Sequence, residues 1–301
     1  MKKTKNRKGP KTHKIMNHPI LALFLMPMWC MLIASVGGGV LDAIVKEYNS
    51  AYPGGIGVAL FALLCLAIHK GWFRGEFVGN LRFKNAGTGL LLILPGFVLM
   101  VMNMLDTDFS VLAPRDYLNA LFLGMAPGIA EEVAFRGLSG SNMMRVWRDE
   151  NKIPLAVVLT ALVFGGVHLL NVFVGASQAI TVTQGIYAIG LGILFAAVYF
   201  RTGTLWPSIV THTLIDASAF LNKELVESGG VLTDNGGFEL AMLIPMAAGI
   251  ICAALGFRYI RKEKRGEIIA LWDEKWKRTG SDETPPEEGI TTEAEQTAAE
   301  L

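Results

Sequence analysis

The chain has 301 residues, of which 52% are hydrophobic and only 18% charged, with a mean hydropathy of +0.42. That composition excludes an ordinary soluble domain and points to a polytopic membrane protein. The net charge of +1 is uninformative as a total, and no basic excess calls for a nucleic-acid partner.

The first 18 residues form a basic tail, with seven lysines and arginines before residue 15. The apolar run that follows is too long for the core of a secretory signal, so it reads as the first membrane helix. A bilayer core needs about 20 apolar residues of helix. Eight stretches qualify: roughly 19–41, 55–70, 87–105, 118–138, 153–171, 180–200, 204–222 and 239–259. The expected fold is therefore all-α, a polytopic membrane helix bundle of about eight transmembrane helices. By character the chain divides into the basic tail 1–18, membrane helices 19–117, a polar-bearing membrane core 118–222, a last helix with its basic flank 223–265, and a tail 266–301. That tail is acidic and lacks apolar periodicity, so it reads as solvated and disordered.

Short cytoplasmic loops are enriched in lysine and arginine. With the N-terminus inside, the cytoplasmic loops hold Lys70, Arg74, Arg82, Lys84, Arg136, Arg145, Arg148, Lys152 and Arg201, while the outer loops hold Lys46, Arg115 and Lys223. Nine against three predicts a multi-pass protein of the plasma membrane with both termini cytoplasmic. Cys30, Cys65 and Cys252 all lie in apolar runs, where a thiol behaves as a small hydrophobe.

Ionisable residues inside spans are costly and are functional candidates by default. The fourth span carries PGIAEEVAFRG, the fifth FGGVH and the seventh HTLID. On a helix, residues four apart share a face and neighbours differ by about 100°. Glu132 can thus pair with Arg136, which leaves Glu131 without a local partner, as a general base for water requires. A positive-inside anchor neutralised by the glutamates is the plainer alternative. His168 shares a face with Phe164 and, taken singly, is equally consistent with a structural hydrogen bond. His212 and Asp216 are one turn apart, so the carboxylate can orient the ring. Depth raises a difficulty. Measured from the expected span ends, Glu131 and His212 lie roughly 8–12 Å below the inner surface and His168 roughly 22 Å, at 1.5 Å per residue.

EEVAFRG matches an EExxxR motif, FGGVH an FxxxH motif, and His212 opens a C-terminal histidine motif. In this order the three resemble the CPBP intramembrane proteases, the group of the CAAX prenyl endopeptidase and the Abi proteins, over roughly 118–222. The resemblance implies a glutamate-dependent endopeptidase that acts on a membrane-associated or lipidated peptide or protein. Glu131 would activate water with help from His168, Glu132 and Arg136 would support the site, and His212 with the residue four later would stabilise the oxyanion. Asp216 stands where the prenyl endopeptidase has asparagine, and an ionised aspartate cannot donate. It is expected to orient His212 instead. No cofactor is expected. A zinc protease built from the same histidines and carboxylates is the nearest competitor, although an HExxH helix is absent. A proton-coupled transporter or a non-catalytic immunity protein are further alternatives, but the polar residues have no counterpart in the first three spans, as paired transporter repeats would give.

Overall fold

The computed structural model describes residues 17–45, 52–72, 80–227 and 237–275. The N-terminal tail up to residue 16, the flanking Lys46 and Arg74, and the acidic tail from 276 lie outside the described residues. Twelve α-helices follow in order: α1 Pro19–Ile44, α2 Tyr52–Trp72, α3 Ala86–Ile93, α4 Phe97–Leu105, α5 Pro114–Glu131, α6 Ser141–Trp147, α7 Ile153–His168, α8 Gln178–Thr202, α9 Trp206–Ala219, α10 Lys223–Glu227, α11 Leu243–Tyr259 and α12 Lys262–Lys275. No strand occurs among the described residues. The chain is an all-α polytopic helical bundle.

Six helical stretches are long and apolar enough to cross a membrane: Pro19–Ile44, Ala86–Leu105, Pro114–Trp147, Glu150–Val174, Gln178–Thr202 and Leu240–Tyr259. The two remaining expected spans coincide with shorter helices, the apolar Gly54–Ile68 within α2 and the 14-residue α9. These observations make the chain an integral multi-pass membrane protein.

The fourth span differs most from its expected form. α5 does not end near Arg136. It passes into a nine-residue π-helical segment, Glu132–Gly140, and then into α6. The sequence RGLSGSN looks like a loop because it mixes glycine, serine and charge, yet the whole π segment is buried. Its polar groups are satisfied locally, since the Ser141 hydroxyl donates to the Gly137 carbonyl. Glu131 therefore stands 16 residues from the end of the helix at Trp147, roughly 20 Å along its axis. His168 is about as far from Ile153, so the apparent difference in depth disappears. At the other end of the site, Thr204 and Leu205 before α9 are 1% and 0% exposed, so that turn is no surface boundary either.

Two glycines set how closely α5 and α9 approach. A methyl group on Gly124 would lie 2.5 Å from the Thr213 carbonyl oxygen and the Ala217 amide nitrogen, and one on Gly128 would lie 2.7 Å from the Thr213 amide nitrogen. Only hydrogen fits, which is the small-xxx-small mode of membrane helix packing. Asn103 of α4 secures the far end of α9, donating to the Ile215 carbonyl at 3.1 Å and the Ser218 hydroxyl at 3.0 Å. The near end is held by loop 80–83. The Leu205 amide donates to the Asn80 carbonyl, the Trp206 indole donates to the Leu81 carbonyl, and Phe83 stacks on Trp206.

α12 is a second departure. Residues 266–275, expected in a disordered tail, continue a helix that lies back on the bundle with Ile268 and Trp272 buried. The Trp272 indole donates to the Phe200 carbonyl at 2.9 Å. Ion pairs Arg148–Asp273, Arg201–Glu267 and Lys84–Glu274 surround it. Such partly exposed pairs contribute little, so burial of the two apolar side chains carries most of the docking.

Candidate active site

The close contact of α5 with α9 brings the conspicuous carboxylates to His212, 80 residues away in sequence. Glu132 is fully buried and Arg136 is 1% exposed. Nη1 of Arg136 donates to Glu132 Oε1 at 2.9 Å, and the same oxygen lies 3.0 Å from Nδ1 of His212. A carboxylate oxygen accepts, so Nδ1 carries the proton. Glu132 thus bridges a cation on its own helix and an imidazole on another. Sequence alone offered only the first of these partners. Ser208, one turn before His212, borders the same carboxylate, and Nη2 of Arg136 donates to the Gly192 carbonyl of α8 at 3.4 Å.

Nε2 of His212 faces the other two carboxylates, with Asp216 Oδ2 at 3.4 Å and Glu131 Oε2 at 3.7 Å. Glu131 makes no hydrogen bond among the described residues. Its side chain is 18% exposed and that of Asp216 is 28% exposed, against 0% for Glu132. The site therefore has two tiers: an open tier of Glu131, Asp216 and the Nε2 edge of His212, and a closed tier of Glu132 and Arg136 behind it.

His168 reaches the site through an aromatic contact. Its Nδ1 donates to the Phe164 carbonyl at 2.9 Å, and a carbonyl can only accept, so the neutral ring presents Nε2 as a base. The Phe164 ring meets His168 edge-on at 5.0 Å between centroids and His212 at 5.8 Å, while the Arg136 guanidinium lies 4.2 Å above its face. One phenyl ring thus separates the two imidazoles and covers the cation. Phe135, within the EExxxR stretch, and Phe195 of α8 complete the apolar wall. Phe195 carried no signal in the sequence, since a phenylalanine in an apolar helix is indistinguishable from core.

All six expected site residues lie on α5, the π segment, α7 and α9. Direct polar contacts join Glu132, Arg136, His212, Asp216 and Glu131, and His168 joins them across Phe164. Among the described residues, no three His, Cys, Asp or Glu side chains are grouped closely enough to hold a metal ion.

Residues 113–218, which contain every one of these side chains, match the family model described as type II CAAX prenyl endopeptidase Rce1-like. No curated protein and no solved structure matches the chain. A buried acid-bridged histidine, an open glutamate and a family match over the same helices identify residues 113–218 as a core of the CPBP/CAAX protease family.

Proposed function

We propose that the chain is an intramembrane endopeptidase in which Glu131 activates the attacking water. The observation that carries this reading is the division of labour between neighbouring glutamates. Glu132 is committed to Arg136 and His212, whereas Glu131 has no hydrogen-bond partner and borders the open tier. A water between Glu131 and Nε2 of His168 gives up a proton to the carboxylate, and its oxygen attacks the scissile carbonyl. The developing oxyanion receives a hydrogen bond from Nε2–H of a doubly protonated His212. Collapse of the intermediate breaks the C–N bond as Glu131 returns the proton to the leaving amine.

Glu132 has the stronger claim to orienting His212, because its contact at 3.0 Å is shorter than the 3.4 Å of Asp216. Asp216 then acts on the Nε2 side, supporting the charge of the imidazolium. The substrate is a membrane-associated or lipidated peptide or protein, entering from the bilayer beside the open tier. We place the protein in the plasma membrane with both termini cytoplasmic, on the distribution of lysine and arginine.

Membranes containing the full chain should cleave at least one member of a panel of prenylated and leader peptides. Glu131→Gln should lower that rate by about 10²–10⁴ at normal abundance. Retained cleavage in Glu131→Gln would overturn the assignment. Loss of bound metal in an Asp216→Ala protein would favour a zinc protease, and peptide binding without cleavage by the wild type would favour a non-catalytic partner.

A further inference from the structure

A second polar cluster lies at the Gly203 end of α8, away from the catalytic side chains. Asn80 is its centre. The Asn80 Oδ1 accepts from the Tyr199 hydroxyl at 2.8 Å and from Nζ of Lys275 at 2.5 Å, and its Nδ2 donates to the Gly137 carbonyl of the π segment at 3.4 Å. Lys275 also donates to the Gly203 carbonyl at 2.8 Å and lies 4.4 Å above the Trp272 ring. These partners are neutral, and no carboxylate pairs with Lys275 among the described residues. An ammonium has three N–H donors, so one is left over.

Beside this ammonium is a cavity of about 60 Å³ lined by Arg82, Lys84, Asn85, Gly203, Glu274 and Lys275, among others. A water needs at least about 10–15 Å³ of such volume, so the cavity admits a group of a few heavy atoms and no peptide. Three cations face it against one carboxylate. That carboxylate, Glu274, is engaged with Lys84 at 3.1 Å, and Arg82 has no ion-pair partner among the described residues. Burial first, and then the like charge of Arg82, push the Lys275 ammonium down to about 7, the response expected where cations gather without a counter-ion.

We propose that this cavity binds a phosphate group, held by Arg82, Lys84 and Lys275 and carried either by an anionic phospholipid of the adjoining leaflet or by a free phosphate. Basic pockets among helix ends at a membrane surface suit such headgroups. A bound phosphate supplies the missing negative charge and fastens α12 to the α8–α9 turn. Through Asn80 the same turn is linked to the π segment that carries Arg136. The inference is independent of the proposed chemistry at Glu131.

The full-length protein in phosphatidylcholine nanodiscs, titrated with inorganic phosphate at constant ionic strength, and the same protein in nanodiscs containing phosphatidylglycerol provide the test. The readout is hydrogen-exchange protection of residues 262–275. Protection that rises with soluble phosphate assigns the site to free phosphate, and protection that rises only with phosphatidylglycerol assigns it to a lipid headgroup. In either case Arg82→Gln, at an exposed side chain, should weaken half-saturation by about tenfold, the scale of one charged hydrogen bond. Glu274→Gln should strengthen it, by removing the opposing carboxylate. No response to either anion, or an unchanged response in Arg82→Gln, overturns the proposal.

Discussion

The catalytic cluster and the Asn80–Lys275 cluster both bury charge, and they differ in how it is balanced. Around Glu132 the compensation is internal, with one carboxylate oxygen shared by a guanidinium and an imidazole. Around Lys275 the protein supplies only an amide, a carbonyl and two aromatic faces. An internally balanced site can stay closed and rigid beneath an open reactive edge. A site short of one sign of charge is suited to accept that sign from outside.

The sharpest way to break the first half of that contrast is Arg136→Ala. It strands Glu132 in a dry environment and exposes nothing to replace the guanidinium, a loss on the order of 3–5 kcal/mol. Abundance and thermal stability in detergent should both fall, whereas Glu131→Gln should leave them unchanged. Equal stability of the two variants would show that Glu132 is not held as the distances indicate.

Substitutions at Asp216 sharpen the contrast within the open tier, with smaller effects. If Asp216 only supports the imidazolium from the Nε2 side, Asp216→Asn should lower the cleavage rate modestly, because Glu132 still holds Nδ1. Asp216→Ala should be poorer, and His212→Ala, which removes an oxyanion donor, should cost about 10²–10³. An Asp216→Asn rate as low as that of His212→Ala would give Asp216 a larger part than its 3.4 Å contact suggests.

The smallest effect concerns pH. With its pKa lowered on folding to about 7, Lys275 is largely neutral in the docked helix above that value, whereas the undocked side chain stays protonated up to about 10.4. Between those values the undocked state binds more protons, so docking of α12 strengthens as pH rises through the window and is weakest below 7. The groups facing Lys275 are Arg82, Lys84, Glu274, Tyr199 and Asn80, of which only Tyr199 and Asn80 are buried. A spin label at the exposed Glu263 should become less mobile from pH 6 to 8 without phosphate, and saturating phosphate should flatten the response. Mobility that increases over that range would show that the ammonium is not buried uncompensated.

What the sequence made legible follows the rarity of the signal. Charged and imidazole side chains are few in an apolar chain, so Glu131, Glu132, Arg136, His168, His212 and Asp216 stand out, and the helical repeat pairs Glu132 with Arg136 and His212 with Asp216. The contact of Glu132 with His212 was hidden because it depends on how closely α5 and α9 pack, which Gly124 and Gly128 decide. The ends of spans were misjudged where polarity is buried. RGLSGSN reads as a boundary but continues the helix, and α9 is shorter than a membrane because its entry is enclosed. α12 escaped notice because its charged residues outnumber the two, Ile268 and Trp272, that attach it.

The π segment also fixes a phase relation. Its i→i+5 hydrogen bonds accommodate one more residue per turn than the regular i→i+4 ladder, so the rotation of everything after Gly140 depends on the residue count between Glu132 and Ser141. Removing one residue there would favour reversion to an ordinary α-helix, and each residue of such a helix turns the chain by about 100°. Asn142 and Arg145, which meet each other and Asn17 beyond the segment, would then swing away from their partners while Glu131 stayed in place. This stretch is consequently far less tolerant of changes in length than of changes in side chain.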